Sequence, residues 1–176
     1  MSNLILGLIT VAIILGAMTA FSGSYIAPQG TISDSYRQLR EHTGEMARTG
    51  MTSVSASVTT GGARLDWRIR NSGETQLRDL PRWDVIIRYH GSTTTALKVQ
   101  RLTYTATDPP PAGQWTVTNI YRDTDNNAEV FEPGIVNPTE EFRLRVTVSP
   151  VIASGSSDSI TVAVQNGASL SVGFTR

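Results

Sequence analysis

The sequence predicts an α+β protein: a long N-terminal hydrophobic helix, kinked near Pro28, followed by an all-β immunoglobulin-like antiparallel sandwich. Three observations predict this fold class. Residues 1–21 are uncharged and almost wholly apolar, Pro28 and Gly30 interrupt a helical stretch, and the rest of the chain alternates polar and apolar residues with a period of two. We therefore expect residues 1–50 to form an assembly helix and stalk, and residues 51–176 to form the β-sandwich domain.

The opening apolar run is long enough to cross the hydrocarbon core of a membrane. About 20 helical residues at about 1.5 Å each span about 30 Å, which is the thickness of that core. Apolar side chains surround this helix instead of forming one stripe, and a helix that is apolar all round is buried in lipid or in protein. We expect its assembly contacts to come from Leu4, Ile5, Leu8, Ile9, Val11, Ile13, Ile14, Leu15 and Phe21.

A second helical stretch follows a predicted break. Pro28 has no backbone N–H to donate and Gly30 is a poor helix former, so the helix should kink or break there. From about residue 31 to residue 48 most positions are polar or charged, and the apolar residues form only a thin stripe. That stripe consists of Ile32, Tyr36, Leu39 and Met46. A helix with so thin an apolar stripe needs a partner surface.

Three interpretations of the N-terminal segment compete. A secretory signal usually has Lys or Arg before its apolar run, whereas "MSN" has neither and the first positive charge is Arg37. A simple membrane anchor fits the length but leaves the stalk without a role. In a helical filament both parts are used, because copies of the kinked helix pack into a central bundle and the sandwich covers the outside. Membrane insertion then precedes polymerisation.

The remainder of the chain contains nine candidate strands separated by turn sequences such as "TGG", "NSG", "DPPPAG" and "EPG". In the clearest case Leu65, Trp67 and Ile69 alternate with charged residues. Many short strands at such spacing favour an antiparallel sandwich. The candidates are Thr52–Thr59, Ala63–Arg70, Trp83–Tyr89, Thr95–Tyr104, Trp115–Arg122, Ala128–Phe131, Glu141–Ser149, Ser159–Val164 and Ser169–Phe174.

Composition and motifs argue against an enzyme and against a nucleic-acid partner. The 15 basic and 15 acidic residues balance, and the basic residues lie scattered along the chain. There is no cysteine, which excludes disulfides and thiolate metal sites. The two histidines, His42 and His90, belong to no catalytic motif. Alternation places the strand carboxylates Asp66, Asp84 and Glu141 on the solvent face, so we expect no catalytic residues.

One loop has the composition of a calcium site. "RDTDNNAE" begins with oxygen-bearing side chains at alternate positions, as calcium loops do. However, Ala128 stands where the sharp turn of such a loop needs Gly, and Gly134 stands where the closing Glu would be. A plain Asp- and Asn-rich turn between strands is the commoner cause of such a composition and is the interpretation we favour. We therefore expect no cofactor; if the loop does bind calcium, its ligands would be Asp123, Asp125, Asn127 and Glu129.

The aromatic residues also allow two interpretations. They could form a sugar-binding platform on one face of the sandwich, or they could pack in its core and pair between strands. The second is the commoner arrangement in β-sandwiches and is the one we favour. The residues concerned are Trp67, Trp83, Trp115, Tyr104 and Tyr121.

The chain resembles the archaellins (archaeal flagellins) of the type IV pilin-like superfamily. An apolar helix leads directly into a β-sandwich, "GIVNPTEEF" at Gly134–Phe142 resembles a turn-and-strand segment of those sandwiches, and "VQNG" at Val164–Gly167 resembles their closing hairpin. The resemblance implies a structural subunit of an extracellular helical motility filament, assembled with copies of itself from a membrane-inserted precursor.

The chain is also similar to the anchored accessory proteins of the archaellum motor. "SYRQLREHTGEMARTGMTSVSASV" resembles their stalk. This resemblance implies a stator role, in which the sandwich binds an envelope partner such as a surface-layer protein. Archaellins are made with a short basic leader ending in Lys/Arg-Gly, and no such leader is visible here. We therefore expect either mature numbering or the unprocessed accessory type.

Overall fold

The computed structural model describes residues 2–93, 96–122 and 126–176, without the side chains of residues 2–3 and 19–31. The chain divides into two compact units, Met1–Gly44 and Glu45–Arg176. The last turn of the helix thus belongs to the same unit as the strands. The expected domain boundary between residues 50 and 51 stays a prediction.

One helix, α1 (Ser2–Arg48), makes up the N-terminal part of the chain. Its described apolar side chains run from Leu4 to Met18, and the described part from Ile32 onward is mostly polar. Among the described residues no helix combines the length and apolarity needed to cross a membrane. The predicted fold class, with a long N-terminal hydrophobic helix, is therefore wrong in this respect.

Two of the predictions for the helix cannot be compared with the structure. Phe21 and the helix break at Pro28 and Gly30 lie outside the residues whose side chains are described. The backbone range Ser2–Arg48 forms a single element. The two-part character of the helix therefore stays a prediction.

Eight of the nine predicted strands are confirmed, with shifts of one or two residues at most ends. Within the described residues the strands are β1 (Met51–Thr59), β2 (Arg64–Asn71), β3 (Asp84–His90), β4 (Leu97–Tyr104), β5 (Gln114–Tyr121), β6 (Glu141–Thr147), β7 (Ser157–Ala163) and β8 (Ser169–Thr175). Two short 3-10 turns, Thr60–Gly62 and Leu80–Arg82, precede β2 and β3. The predicted strand Ala128–Phe131 is wrong, since this segment makes only one isolated bridge, between Ala128 and Tyr121.

The strands form one mixed sheet instead of an immunoglobulin-like antiparallel sandwich, which is the second correction to the predicted fold class. Their order is β1-β2-β6-β5-β4-β3-β7-β8, and β1 and β8 contact each other, so the sheet curls into a near-barrel of two layers. The pair β4–β5 is parallel. Between these strands lie Pro109, Pro110 and Pro111, which lack the N–H groups of a tight hairpin, so the chain crosses from one layer to the other.

The core lies between the layers β1-β2-β6-β5 and β4-β3-β7-β8. The alternation predicted for β2 is confirmed, because Leu65, Trp67 and Ile69 are completely buried. The three tryptophans belong to this core, as expected from the commoner interpretation, and the Trp83 ring stacks on that of Trp115 with centroids 6.3 Å apart. Tyr104 packs against the core, whereas Tyr121 lies on the outer face beneath Arg68. Each large apolar side chain buried in this way stabilises the fold by about 1.5–3 kcal/mol.

Candidate assembly surfaces

The first part of α1 presents apolar side chains that no other part of the described chain covers. Of the residues predicted for assembly, those from Leu4 to Leu15 have exposed fractions of 50–76%. They are Leu4, Ile5, Leu8, Ile9, Val11, Ile13, Ile14 and Leu15. An exposed apolar surface of this extent is typical of a face that binds protein or lipid.

The four residues predicted for the stripe of the second part of α1 are all exposed, and their role in assembly stays a prediction. Ile32, Tyr36 and Leu39 are between 54% and 64% exposed, and with Ser35 they line one shallow depression on the helix. Met46 is 42% exposed and lies near the turn at Gly167. The stripe therefore has a free apolar face at three of its four positions.

The end of α1 is fixed to the β domain by a set of hydrogen bonds centred on Thr49. The Thr49 hydroxyl accepts from Asn166 Nδ2 at 2.6 Å and lies 2.6 Å from the Thr75 hydroxyl. It also lies 2.8 Å from the carbonyl oxygen of Glu45, one helical turn earlier. The backbone N–H of Glu74 donates to the Arg48 carbonyl at 2.8 Å. These contacts satisfy carbonyl groups at the helix end that would otherwise lack partners.

Two glycines allow this close approach. The N–H groups of Ser72 and Gly73 both donate to the Gly50 carbonyl, at 3.0 and 3.1 Å. A Cβ atom on Gly73 would lie 2.2 Å from the Gly50 nitrogen and 2.5 Å from the Arg48 oxygen. No side chain fits there, so Gly73 is required by backbone contact. We call the residues 45–50 and 71–75 the helix-exit clamp.

The outer face of the first layer carries a buried carboxylate that the sequence places in solvent. Glu141 lies on the outward side of β6, but its side chain is only 2% exposed. Arg68 Nε and Arg70 Nη2 donate to its two oxygens, the second at 2.7 Å. Arg68 also stacks over the ring of Tyr121. The prediction that Glu141 is exposed is therefore wrong, because two arginines and a tyrosine cover it.

The other two strand carboxylates behave differently from Glu141. Asp84 is half exposed and pairs with Arg101, which is 74% exposed. Asp66 accepts two hydrogen bonds from Arg145, which also donates to Asp108 at 2.9 Å. These hydrogen bonds raise the pKa of Arg145 above its ordinary value. The face is thus an arginine–carboxylate network, and Asp66, Arg68 and Arg143 line a depression on it.

The candidate calcium loop is described only in part. Asp123 and Asp125 lie outside the described residues. Glu129 Oε1 accepts from three successive backbone N–H groups, and these hydrogen bonds, the one from Phe131 first, lower the pKa of Glu129. Burial raises the pKa of the neighbouring Glu140. Within the described part of the chain no three His, Cys, Asp or Glu side chains are grouped for a metal ion. The calcium site stays a prediction.

Comparisons with known proteins give no match in sequence and clear matches in fold. No sequence model of a protein family matches the chain, and no curated protein matches it. A chain of the archaeal flagellum of Methanospirillum hungatei strain JF1 is similar over 99% of this chain and 93% of that chain, with 14% identity and a TM-score of 0.59. The chain has the fold of archaellum proteins.

Two further solved structures have the same fold. The archaellum periplasmic stator protein FlaG from Sulfolobus acidocaldarius is 20% identical over 72% of this chain and 99% of that chain, with a TM-score of 0.51. A chain of the stator complex of FlaF and FlaG from the same organism is 19% identical over 70% of this chain and 87% of that chain, with a TM-score of 0.50. The resemblance to archaellum proteins inferred from sequence is confirmed for the fold, and both of its branches fit.

Sequence reasoning found the apolar helix residues and missed the clamp. Thr49 and Asn166 are short polar residues in turns, and their contact spans 117 positions of the chain. Gly73 was recognised only as part of a turn in "NSG". The signal that could have found it is the presence of Gly50 and Gly73 on either side of β1 and β2, where paired strands bring their ends together.

Proposed function

We propose that the chain is an archaellum component, and specifically a structural subunit of the extracellular filament. In this proposal α1 polymerises with copies of itself and the β domain lies on the outside. The observation that carries it is the extent of the likeness to the Methanospirillum hungatei flagellum chain, which covers 99% of this chain and therefore includes α1.

The exposed side chains of α1 support this proposal. Those between Leu4 and Met18 are at least half exposed, and they surround the helix, so a bundle of like helices can cover them on every side. Burying each one contributes about 1.5–3 kcal/mol. Contacts of this kind between different faces of identical subunits generate either a closed ring or an open helical polymer, and the proposed filament is the open case. An extracellular location reached through a membrane-inserted precursor belongs to the same proposal.

The helix-exit clamp supports a passive mechanical role. A filament subunit must transmit force between its core helix and its outer domain. Hydrogen bonds from Asn166 and Glu74 to Thr49 and Arg48 hold the last turn of α1 in the β domain. Within the described residues, the clamp consists of backbone, hydroxyl and amide hydrogen bonds, which join chain segments and supply no acid–base pair. We therefore propose a structural protein and no enzymatic activity.

The second candidate is a stator-type accessory protein. It is favoured by the likeness to FlaG, which spans almost all of that solved chain and a share of this chain about equal to the β domain. In this role the β domain would bind an envelope partner such as a surface-layer protein. Both candidates share the fold of the β domain, so the location of the chain distinguishes them.

The test is to shear filaments from cells that produce this chain and to identify their major protein by mass spectrometry. If the chain is a filament subunit, it is the main component of the sheared fraction, and deleting its gene removes the filaments. If it is a stator-type protein, it stays in the envelope fraction and filaments of another protein persist beside it. That result would overturn the filament proposal.

A further inference from the structure

We propose that the loop tip 129–132 of one copy docks on the outer face of β3 and β4 of a second copy of this chain. The tip consists of Glu129, Val130, Phe131 and Glu132. The receiving surface, which we call the β3–β4 patch, consists of Ile86, Arg88, Leu97, Val99 and Arg101. The inference goes beyond the proposed function by naming a contact between β domains, and it rests on that function for the assembly of copies.

The tip exposes apolar surface that the fold of its own chain leaves uncovered. Phe131 is 83% exposed, more than any other large apolar side chain in the described part of the chain, and Val130 is 74% exposed. Neither side chain contributes to the core. Two adjacent apolar residues of this kind at a loop tip are suited to insert between side chains of another surface.

The tip is also held in a defined conformation. Glu129 Oε1 accepts from the N–H groups of Val130 at 3.0 Å, Phe131 at 2.6 Å and Glu132 at 3.3 Å. The Glu129 N–H donates to the Ile120 carbonyl of β5 at 2.8 Å, which ties the base of the tip to the sheet. A loop that is ordered before it binds loses less conformational entropy when it docks.

The β3–β4 patch is the complementary feature. Val99, Leu97 and Ile86 are 65%, 47% and 41% exposed on the outer face of the second layer. Val99 is the register partner of Arg88, and Ile86 is that of Arg101, so apolar and basic side chains alternate there. Exposed apolar side chains close together on one sheet face are a docking surface of the kind that Phe131 can enter.

Charge favours the same pairing. The tip carries the carboxylates of Glu129 and Glu132, the second of which accepts from Asn137 Nδ2 at 3.0 Å. The outer face of β3 and β4 carries Arg88 and Arg101 against one carboxylate, Asp84. Arg101 pairs with Asp84, and within the described residues Arg88 has no ion pair. An acidic tip and a basic patch attract each other and fix the orientation of the contact. This complementarity is why we assign the patch to the tip of a second copy.

The two features lie on different layers, so the contact is heterologous. The tip follows β5 of the first layer, and the patch is on the outer face of the second layer. A contact between unlike surfaces of identical subunits either closes into a ring or repeats along an open polymer, and the proposed filament requires the second. The tip is small beside the roughly 1,000 Å² that a specific interface requires. It therefore acts between copies already brought together by another contact, where the effective concentration is high.

The absence of cysteine from the sequence permits a direct test. Full-length chains with F131C and V99C are assembled and mildly oxidised, and the products are separated under denaturing, non-reducing conditions. We expect a ladder of cross-linked multimers. The matched control pairs F131C with V54C, which replaces another exposed apolar residue, 48% exposed on β1, and it should give no ladder. Equal ladders from both pairs, or filaments without a ladder, would overturn the inference.

Charge reversal gives a second measurement. Because it asks whether a double variant restores what each single variant loses, a single variant that fails to fold cannot imitate the expected result. R88E and E132R should each lower the yield of F131C–V99C cross-links several-fold, and the double reversal should restore it. Failure of restoration would contradict the pairing. Oxidation of intact cells separates this inference from the proposed function. Filaments without F131C–V99C cross-links overturn the inference alone, and cross-links without filaments overturn the proposed function alone; if neither forms, both fail.

Discussion

At the scale of single residues, the most consequential side chain on the outer face is Glu141. Alternation along β6 correctly assigns it to the outward side, but exposure depends on what neighbouring strands place around that side. Arg68 and Arg70 on β2 and Tyr121 on β5 cover the carboxylate until its side chain is only 2% exposed. A pattern within one strand contains no information about these neighbours on other strands. The sequence therefore predicts on which face of the sheet Glu141 lies, but it does not predict that Glu141 is buried there.

Replacing Glu141 by glutamine should destabilise the β domain strongly. The change leaves Arg68, itself 17% exposed, without its carboxylate partner, and removing one member of a buried pair costs about 3–5 kcal/mol. The measurement is chemical denaturation of the full chain followed by tryptophan fluorescence. The matched control is D84N, whose pair with Arg101 is exposed and contributes less than about 1 kcal/mol. Equal losses in the two variants would contradict the assignment of Glu141.

At the scale of secondary structure, predictions from periodicity succeed where one face of a strand is buried. Leu65, Trp67 and Ile69 show this for β2. The prediction fails at Ala128–Phe131, where Glu129 Oε1 accepts the N–H groups that a strand ladder would use and Phe131 remains in solvent. A β-rich composition alone cannot reveal that a side chain of the same segment has taken these donors.

Topology was harder to predict than the strands themselves. To predict the topology, one must know for each turn whether it joins two neighbouring antiparallel strands or carries the chain to the other layer. The turn sequences alone do not show which of the two occurs. The segment between Tyr104 and Gln114 contains three consecutive prolines and crosses between layers, so β5 pairs in parallel with β4. The candidate assembly surfaces also contain one part that the sequence predicts and one part that it does not. Residues of α1 follow from hydropathy, whereas the helix-exit clamp depends on contacts between distant turns.

The clamp gives the prediction that belongs to this scale. In G73A the new Cβ would overlap the Gly50 nitrogen and the Arg48 oxygen, and overpacking of this kind costs about 1–3 kcal/mol. We expect faster hydrogen exchange at the amides of Ser72 and Glu74, which donate to Gly50 and Arg48. The matched control is G173A in β8, where the nearest atom is 3.8 Å away. Unchanged protection at both amides in G73A would show that the clamp does not hold the helix end.

At the scale of the whole molecule, the side chains that stabilise the β domain differ from those that we propose for assembly. The β domain buries its own aromatic core, including Trp83 and Trp115, and needs no partner to do so. The apolar surface of α1 and the tip at Phe131 remain exposed in a single chain. We therefore expect that a single substitution in α1 can prevent the proposed polymerisation without unfolding the β domain. Such a substitution tests the proposed assembly.

Leu8 is the most informative position for that test. In a bundle of identical helices, L8D would bury a carboxylate without a partner, at a cost of several kcal/mol for every subunit. Leu8 is 69% exposed in a single chain, so the same change should leave the fluorescence-detected unfolding of the β domain unaltered. The control L8M keeps an apolar side chain of similar volume and should assemble normally. We expect electron microscopy to show filaments for L8M and none for L8D. Normal filaments from L8D would mean that this part of α1 does not lie in the core of the polymer, whatever else the protein assembles with.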